Sequence, residues 1–310
     1  MQVIYFHKRV VKYRWINEGG INMSDNYSLI NMDGISEVVK ELLSKISSAI
    51  GWIATRETPK RIAVQTYIEE IKQSDYDPIT KAALISNAQK TVREYSNQTA
   101  IVEHAIENMN DSSTPQQIDD DWLAQFMDKA RLVSDSEFQL IWGRILAEEC
   151  NIPGSVPRSL LHTLERMDSY DAECFVLLCK FAVYFMDGDE KYYMPIIPVS
   201  SLDSYFFEKG LGVDALVDLR SLGLIEMSLE GLASEFSVHC SSQPIIIHYF
   251  EEQFELPTEL DEIYCGNVIF TKTGRALCRA ILVEKQENFF EQICIPYLED
   301  AVEKRKKYNK

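Results

Sequence analysis

The stretch DWLAQFMDKARLVSDSEFQLIWGRILAEECNIPGSVPRSLL, residues 121–161, decides the fold of this chain. Its apolar residues recur at steps of three and four, which predicts two successive amphipathic helices. Asp121 is predicted to cap the first helix, because a carboxylate there accepts backbone N–H groups. The buried face of that helix is predicted to contain Trp122, Phe126, Ala130 and Val133.

The second helix of this stretch is predicted to begin at a capping box, Ser134-Asp135-Ser136-Glu137, and to end before Pro153-Gly154. Gly143 allows another backbone to approach closely. Arg144 and Glu148 are four residues apart, so a pair between them on the helix surface is expected. One side of the helix carries the apolar residues Phe138, Ile141, Trp142, Ile145 and Leu146.

Three helices are predicted upstream: an amphipathic helix over 33–54, a short one from Pro59 to Lys72, and a long one from Pro78 to Met109. The long helix has a heptad pattern and would measure roughly 45 Å. A rod with one apolar seam needs a partner. Either the 33–72 helices cover the seam within one chain, or two copies dimerise through residues 85–109. The seam residues are Ile85, Val92, Tyr95, Val102 and Ile106.

Two more helices are predicted downstream, Ser159–Met167 and Asp171–Met186. The second is apolar nearly all round and is expected to lie at the centre of its domain. The pattern changes at Asp187-Gly188-Asp189, which predicts a turn.

A helix near Val213–Leu222 then runs into a strand over 223–227, in the sequence LRSLGLIE. Further strands are predicted at 245–250 and 268–271. In VIFTKTGRAL the last strand turns, with a Thr cap, into a helix from Arg275 to about Glu284. This order resembles the winged-helix fold.

The predicted fold class is therefore mainly α, a helical bundle or stalk followed by an α+β winged-helix-like domain. Residues 33–110 form the N-terminal helices, 119–186 a central helical domain and 187–285 the winged-helix-like domain. Residues 286–310 form a C-terminal helix with a basic tail. Residues 1–22 are basic and lack a period, and Glu18-Gly19-Gly20 before Met23 can encode a ribosome-binding site. We therefore expect 1–22 to be a misannotated, disordered leader.

Charge and cysteine usage restrict the class of protein. The 310 residues carry a formal net charge of −17, which repels nucleic acid and anionic lipid unless a local basic patch overrides it. The seven cysteines include no CxxC motif and lie mostly in apolar runs, as expected in a reducing, cytoplasmic compartment. No stretch reaches the ~20 apolar residues that span a bilayer, so no transmembrane segment is predicted.

The opening stretch also carries a family resemblance. Its DW-x-x-x-F, VSD-x-E-x-Q-x-x-WG and N-x-PG-S patterns, with Arg93-Glu94-x-x-Asn97 upstream, resemble an uncharacterised bacterial family, the domain of unknown function numbered 2806. The resemblance covers roughly residues 80–285 and implies a bacterial host but no established activity. A looser similarity links such helical proteins to abortive-infection proteins, which implies a role in phage defence or stress response.

The sequence predicts no catalytic, cofactor-binding or metal-binding residues. A Mg²⁺-dependent hydrolase or nuclease would need the carboxylates Asp119, Asp120, Asp121, Glu148 and Glu149 with His162, but three of these are consecutive and cannot share a helix face. A zinc site from His239, Cys240, His248 and Cys265 matches no common spacing.

Only Lys272, Arg275 and Arg279 could contact a phosphate backbone, whereas the helix and turn over 212–226 are mainly acidic. A protein partner or a second copy is therefore expected rather than nucleic acid. The leading hypothesis is a non-catalytic interaction or scaffold protein. A winged-helix DNA-binding regulator is the alternative, and a metal-dependent enzyme ranks third.

Overall fold

The computed structural model describes residues 36–52, 61–188, 190–198, 205–227, 233–234, 245–256, 263–264 and 266–308. The predicted leader over 1–22 lies outside these ranges. So do three of the four residues weighed for zinc, all but His248.

Three helices precede the opening stretch, as predicted: α1 (Glu37–Ile50), α2 (Arg61–Gln73) and α3 (Pro78–Asn108). The carboxylate of Asp77 accepts the first backbone N–H groups of α3, and Pro78 needs no such partner. Residues 33–35 and 53–60, at the edges of the predicted helices, are outside the described ranges.

The central stretch forms a 3₁₀ turn (Pro115–Gln117) and four helices: α4 (Asp120–Ala130), α5 (Ser136–Asn151), α6 (Arg158–Arg166) and α7 (Ser169–Cys179). Two predicted caps were wrong in position. Asp119, not Asp121, caps α4 by accepting from the Trp122 N–H, and Asp135, not Ser134, caps α5.

The predicted helix Asp171–Met186 was wrong in its second half. Helix α7 ends at Cys179, and β1 (Ala182–Asp187) pairs antiparallel with β2 (Glu190–Pro195). Val183 and Phe185 lie in the core while Tyr184, between them, is only half-buried, which is strand alternation. Gly188 begins the turn between the strands with φ 61°, a conformation that favours glycine.

The remaining elements that the structure describes are one helix, six strands and a C-terminal helical segment. In chain order they are α8 (Val213–Ser221), β3 (Ile225–Met227), β4 (Ala233–Ser234), β5 (Ile245–Tyr249), β6 (Glu252–Leu256), β7 (Ile263–Tyr264), β8 (Val268–Phe270), α9 (Lys272–Ala280), a π-helical turn (Phe290–Cys294) and α10 (Ile295–Tyr308). The Thr cap is confirmed, because Thr271 Oγ1 accepts from the Gly274 N–H. Helix α9 begins three residues before the predicted Arg275 and ends at Ala280, not near Glu284.

Within the described ranges the strands form three antiparallel sheets: a four-stranded sheet in the order β2-β1-β5-β6, and the pairs β3–β8 and β4–β7. The protein is thus mostly helical with antiparallel strands in its C-terminal region. Most of the buried apolar side chains that the structure describes form one cluster from Leu42 to Val302, to which the buried Ile68 and Ile71 of α2 do not belong. The division into three domains and the winged-helix identity stay predictions.

Candidate anion-binding site

Helix α9 has one packed face and one basic face. Lys272, Arg275 and Arg279 are spaced three and four residues apart, so they lie on one side of the helix. The opposite side is buried and consists of Thr273, Gly274, Ala276, Leu277, Cys278 and Ala280. The three cations predicted as possible phosphate contacts therefore share one surface.

Two contacts fix α9 against the turn that precedes β3. Besides capping α9, Thr271 Oγ1 donates to the Gly223 carbonyl at 2.6 Å. A Cβ at position 274 would lie 1.9 Å from the carbonyl oxygen of Leu224, so only glycine permits this approach. The helix that carries the cations is thus rigidly seated.

The basic face of α9 lines a cleft of about 700 Å³. Across the cleft lie Glu148 near the end of α5, the loop that follows α5, and strand β2. The lining contains four cations and one carboxylate among its side chains: Lys191, Lys272, Arg275, Arg279 and Glu148. We call this volume the basic cleft.

Arg279 connects α9 to the end of α5. Its Nε lies 3.0 Å from Glu148 Oε1 and one terminal nitrogen lies 3.1 Å from the Ser155 carbonyl oxygen. The expected surface pair between Arg144 and Glu148 was therefore wrong, because Arg279 takes Glu148. Arg144 Nε is buried without a hydrogen-bond partner among the described residues, and burial lowers the pKa of Arg144.

Arg275 is anchored in a different direction. Its terminal nitrogen donates to the Phe270 carbonyl at 2.9 Å and to the Tyr192 hydroxyl at 3.0 Å. The guanidinium carbon is 4.5 Å from the centroid of the Tyr192 ring, a cation–π distance. Arg275 thus carries its charge into the cleft without a carboxylate partner among the described residues.

The two lysines are less constrained. Lys191 Nζ lies 4.7 Å from the centroid of the Tyr184 ring. Lys272 is exposed and makes no hydrogen bond or ion pair with any described part of the chain.

Tyr193 also lines the cleft, and burial is the main cause that raises its pKa to about 12. Its hydroxyl therefore stays protonated at neutral pH and can donate.

The carboxylates considered for a metal site already have partners within the protein. Asp119 caps α4 and lies 2.6 Å from Arg158. Buried Glu149 accepts the backbone N–H groups of Gly154 at 2.7 Å and Val156 at 2.9 Å, and burial raises its pKa. Within the described ranges no three His, Cys, Asp or Glu side chains come together as metal ligands would.

The heptad seam of α3 divides into two parts. Val102 is buried, and Tyr95 and Ile106 pack against the core, where the C-terminal half of α3 meets α5. Gly143 permits this contact as expected, because a Cβ there would lie 2.4 Å from His104 Cβ. Ile85 and Val92 are half-buried on the preceding half of α3. Dimerisation through residues 85–109 stays a prediction.

Polar motif residues hold α3 to the turn between α4 and α5. Asn97 is buried and donates to the Arg131 carbonyl at 2.9 Å, while Gln139 donates to Asn97 at 3.3 Å. Glu94 pairs with Arg131 at 2.8 Å. These residues of the resemblance motifs are therefore explained by packing and lie at this junction rather than among the residues that line the basic cleft.

None of the helices that the structure describes is long and apolar enough to cross a membrane.

Fold and cleft define a class: a mostly helical protein whose C-terminal antiparallel strands help to build a basic cleft. A family model described as "Protein of unknown function (DUF2806)" matches residues 85–294, and the chain belongs to this family. No curated protein and no solved structure matches the chain. The matched range contains every residue of the basic cleft.

Proposed function

We propose that this protein is a non-catalytic binding protein that recognises an anionic small molecule in the basic cleft. One observation carries the proposal. Among the described side chains, four cations and one carboxylate line about 700 Å³ of open volume, in a chain with a net charge of −17. Packing does not account for the whole of this reversal of charge, since Lys191 and Lys272 are exposed and form no ion pair within the described ranges.

The overall charge favours a small ligand over a long polyanion. An acidic surface repels an extended polyanion over roughly 8–10 Å in physiological salt. A small anion inside the cleft meets mainly the nearby cations. The volume lies within the range of roughly 300–1,000 Å³ typical of small-molecule pockets.

Thermal unfolding of the full chain tests the proposal. Phosphate, sulfate, citrate and tripolyphosphate are added at one ionic strength, set with sodium chloride. At least one anion should raise Tm in proportion to the logarithm of its concentration, because ligand binding stabilises the folded state. The double variant Lys191→Glu/Lys272→Glu should lose the rise, and the matched variant Lys90→Glu on α3 should keep it. A Tm unaffected by every anion would refute the proposal.

A DNA-binding regulator is the second candidate, favoured by the shared surface of Lys272, Arg275 and Arg279. It is weakened by α8, which carries Asp214 and Asp218, and whose Arg220 lies 3.7 Å from Glu226. Binding to duplex DNA at two salt concentrations separates the candidates. A regulator would bind DNA with a steep salt dependence, whereas a small-molecule binder would not retain DNA even at low salt.

The scaffold role and the link to phage defence or stress response concern what the bound state does in the cell. Co-purification from the native host, with and without the double variant, would identify a protein partner that depends on the cleft.

The metal-dependent hydrolase has the weakest support, because Asp119, Glu148 and Glu149 are already engaged by Arg158, Arg279 and backbone N–H groups.

A further inference from the structure

We infer that the ligand of the basic cleft is a small molecule that carries several phosphate groups. The inference rests on the proposed function and names its ligand class. It starts from the two arginines, which hold their charges at separate points of the cleft.

The anchors of the two guanidinium groups point in different directions. Arg275 is held by Phe270, at the end of β8, and by Tyr192 of β2. Arg279, about 6 Å further along α9, is held by Glu148 and Ser155 near the end of α5. Arg275 uses one terminal nitrogen for its bonds, and Arg279 uses Nε and one terminal nitrogen, so each guanidinium group keeps N–H groups for a ligand. Two or more phosphates on one scaffold can meet both arginines as they stand.

The charge balance leads to the same class. Glu148 compensates Arg279, which leaves Lys191, Lys272 and Arg275 without a carboxylate partner within the described ranges. A ligand with about three or more negative charges balances them. Phosphate groups supply that charge together with pairs of oxygens that a planar guanidinium group can contact in a bidentate manner.

The cleft also has room for more than one phosphate ion. Its volume of about 700 Å³ is more than twenty times the volume of about 30 Å³ that one water molecule occupies in the liquid. The side chains around this space offer mainly hydrogen-bond donors. The acceptor Glu148 is already paired with Arg279, and the hydroxyl groups of Tyr192 and Tyr193 can donate. A ligand rich in anionic oxygens matches this lining.

Nucleoside triphosphates and inositol polyphosphates share this chemistry, and inorganic tripolyphosphate provides it alone. Isothermal titration of the full chain compares orthophosphate, tripolyphosphate, ATP and inositol hexakisphosphate at equal ionic strength, with a single-stranded oligonucleotide as a fifth ligand. Tripolyphosphate should bind at least 100-fold more tightly than orthophosphate, since two or more additional charged contacts form. A further tenfold gain for ATP or for inositol hexakisphosphate would identify the scaffold.

Two exposed lysines allow a test that spares the fold. Lys191→Gln and Lys272→Gln should each weaken tripolyphosphate binding about tenfold and orthophosphate binding by a smaller factor, whereas Lys90→Gln should change neither. Orthophosphate binding as tightly as tripolyphosphate would overturn the ligand class and leave the proposed function standing. An oligonucleotide that binds more tightly than tripolyphosphate would replace the ligand class with nucleic acid. Absence of binding by every anion would refute both.

Discussion

The two faces of α5 have different surroundings. One face packs on α3 through Gly143, where an added Cβ would lie 2.4 Å from His104 Cβ and 3.0 Å from the Ile101 carbonyl oxygen. The other presents Glu148 to Arg279 at the edge of an open volume. At the first face the size of a side chain should decide stability, while at the second its charge should decide the proposed anion binding. One helix thus separates the support of the fold from the candidate site.

The largest expected effect is steric. Gly143→Ala should lower the free energy of unfolding by about 3 kcal/mol or more, because the new methyl group forces α3 and α5 apart. Chemical denaturation measures the loss. Gly212→Ala is the matched control, since its Cβ would meet nothing nearer than the Phe207 ring at 3.4 Å. Equal stability of the two variants would contradict the close packing of α3 on α5.

The next effect concerns Glu149, one residue from the cleft yet turned into the fold. Glu149→Gln should cost about 2 kcal/mol, because an amide cannot accept both the Gly154 and the Val156 N–H groups.

Because burial raises the pKa of Glu149, the folded state binds its proton more readily than the unfolded state. The contribution of Glu149 is therefore fully present below its unfolded pKa and is lost as the pH rises through the folded value. The stability gap between wild type and Glu149→Gln should widen as the pH falls, which denaturation across pH 4–7 would measure. A gap that narrows in acid would show that the carboxylate is preferred in the ionised form.

A smaller effect is expected at the cap of α9. Thr271→Val should cost about 1 kcal/mol, since the Gly274 N–H loses its acceptor and the Gly223 carbonyl its donor. Thr271→Ser keeps the hydroxyl and should retain most of the stability. If the serine variant were as unstable as the valine variant, loss of the methyl group would cost as much as loss of the hydroxyl, and the cap alone would not explain how Thr271 holds α9.

The smallest stability effect belongs to the cleft itself. Glu148→Gln should change stability by less than about 1 kcal/mol, because the pair with Arg279 is partly exposed. The same change should tighten tripolyphosphate binding several-fold, since it removes the carboxylate that opposes the ligand. Glu137→Gln, in the exposed first turn of α5, is the control and should affect neither quantity. Weaker binding by Glu148→Gln would mean that Glu148 positions Arg279.

Local signals were sufficient for most helices. Asp77-Pro78 starts α3, and the Thr271 cap starts α9, because caps and turns act within a few residues. The prediction of one helix over Asp171–Met186 was wrong because the apolar run from Cys174 to Met186 fits a buried helix or a strand equally well. Its second half becomes β1 only through pairing with β2 and β5, which are remote or weakly patterned segments.

The site was predictable only in part, for the same reason. The spacing of Lys272, Arg275 and Arg279 indicated a basic face on one helix. Lys191 and Glu148 carry no local signal, since they join the cleft through tertiary packing. The expected Arg144–Glu148 pair followed the rule that residues four apart on a helix can pair. In the structure Glu148 pairs instead with Arg279, which is 131 positions away in sequence.

That long reach has a consequence for biosynthesis. At roughly 5–20 residues per second, a ribosome needs roughly 7–26 s to travel the 131 positions from Glu148 to Arg279. During that interval the nascent chain has α5 but no opposing basic helix, so it has no pocket to fill. If the proposed ligand binds there, it would stabilise only chains in which α9 has joined the cleft and would leave earlier nascent chains unaffected.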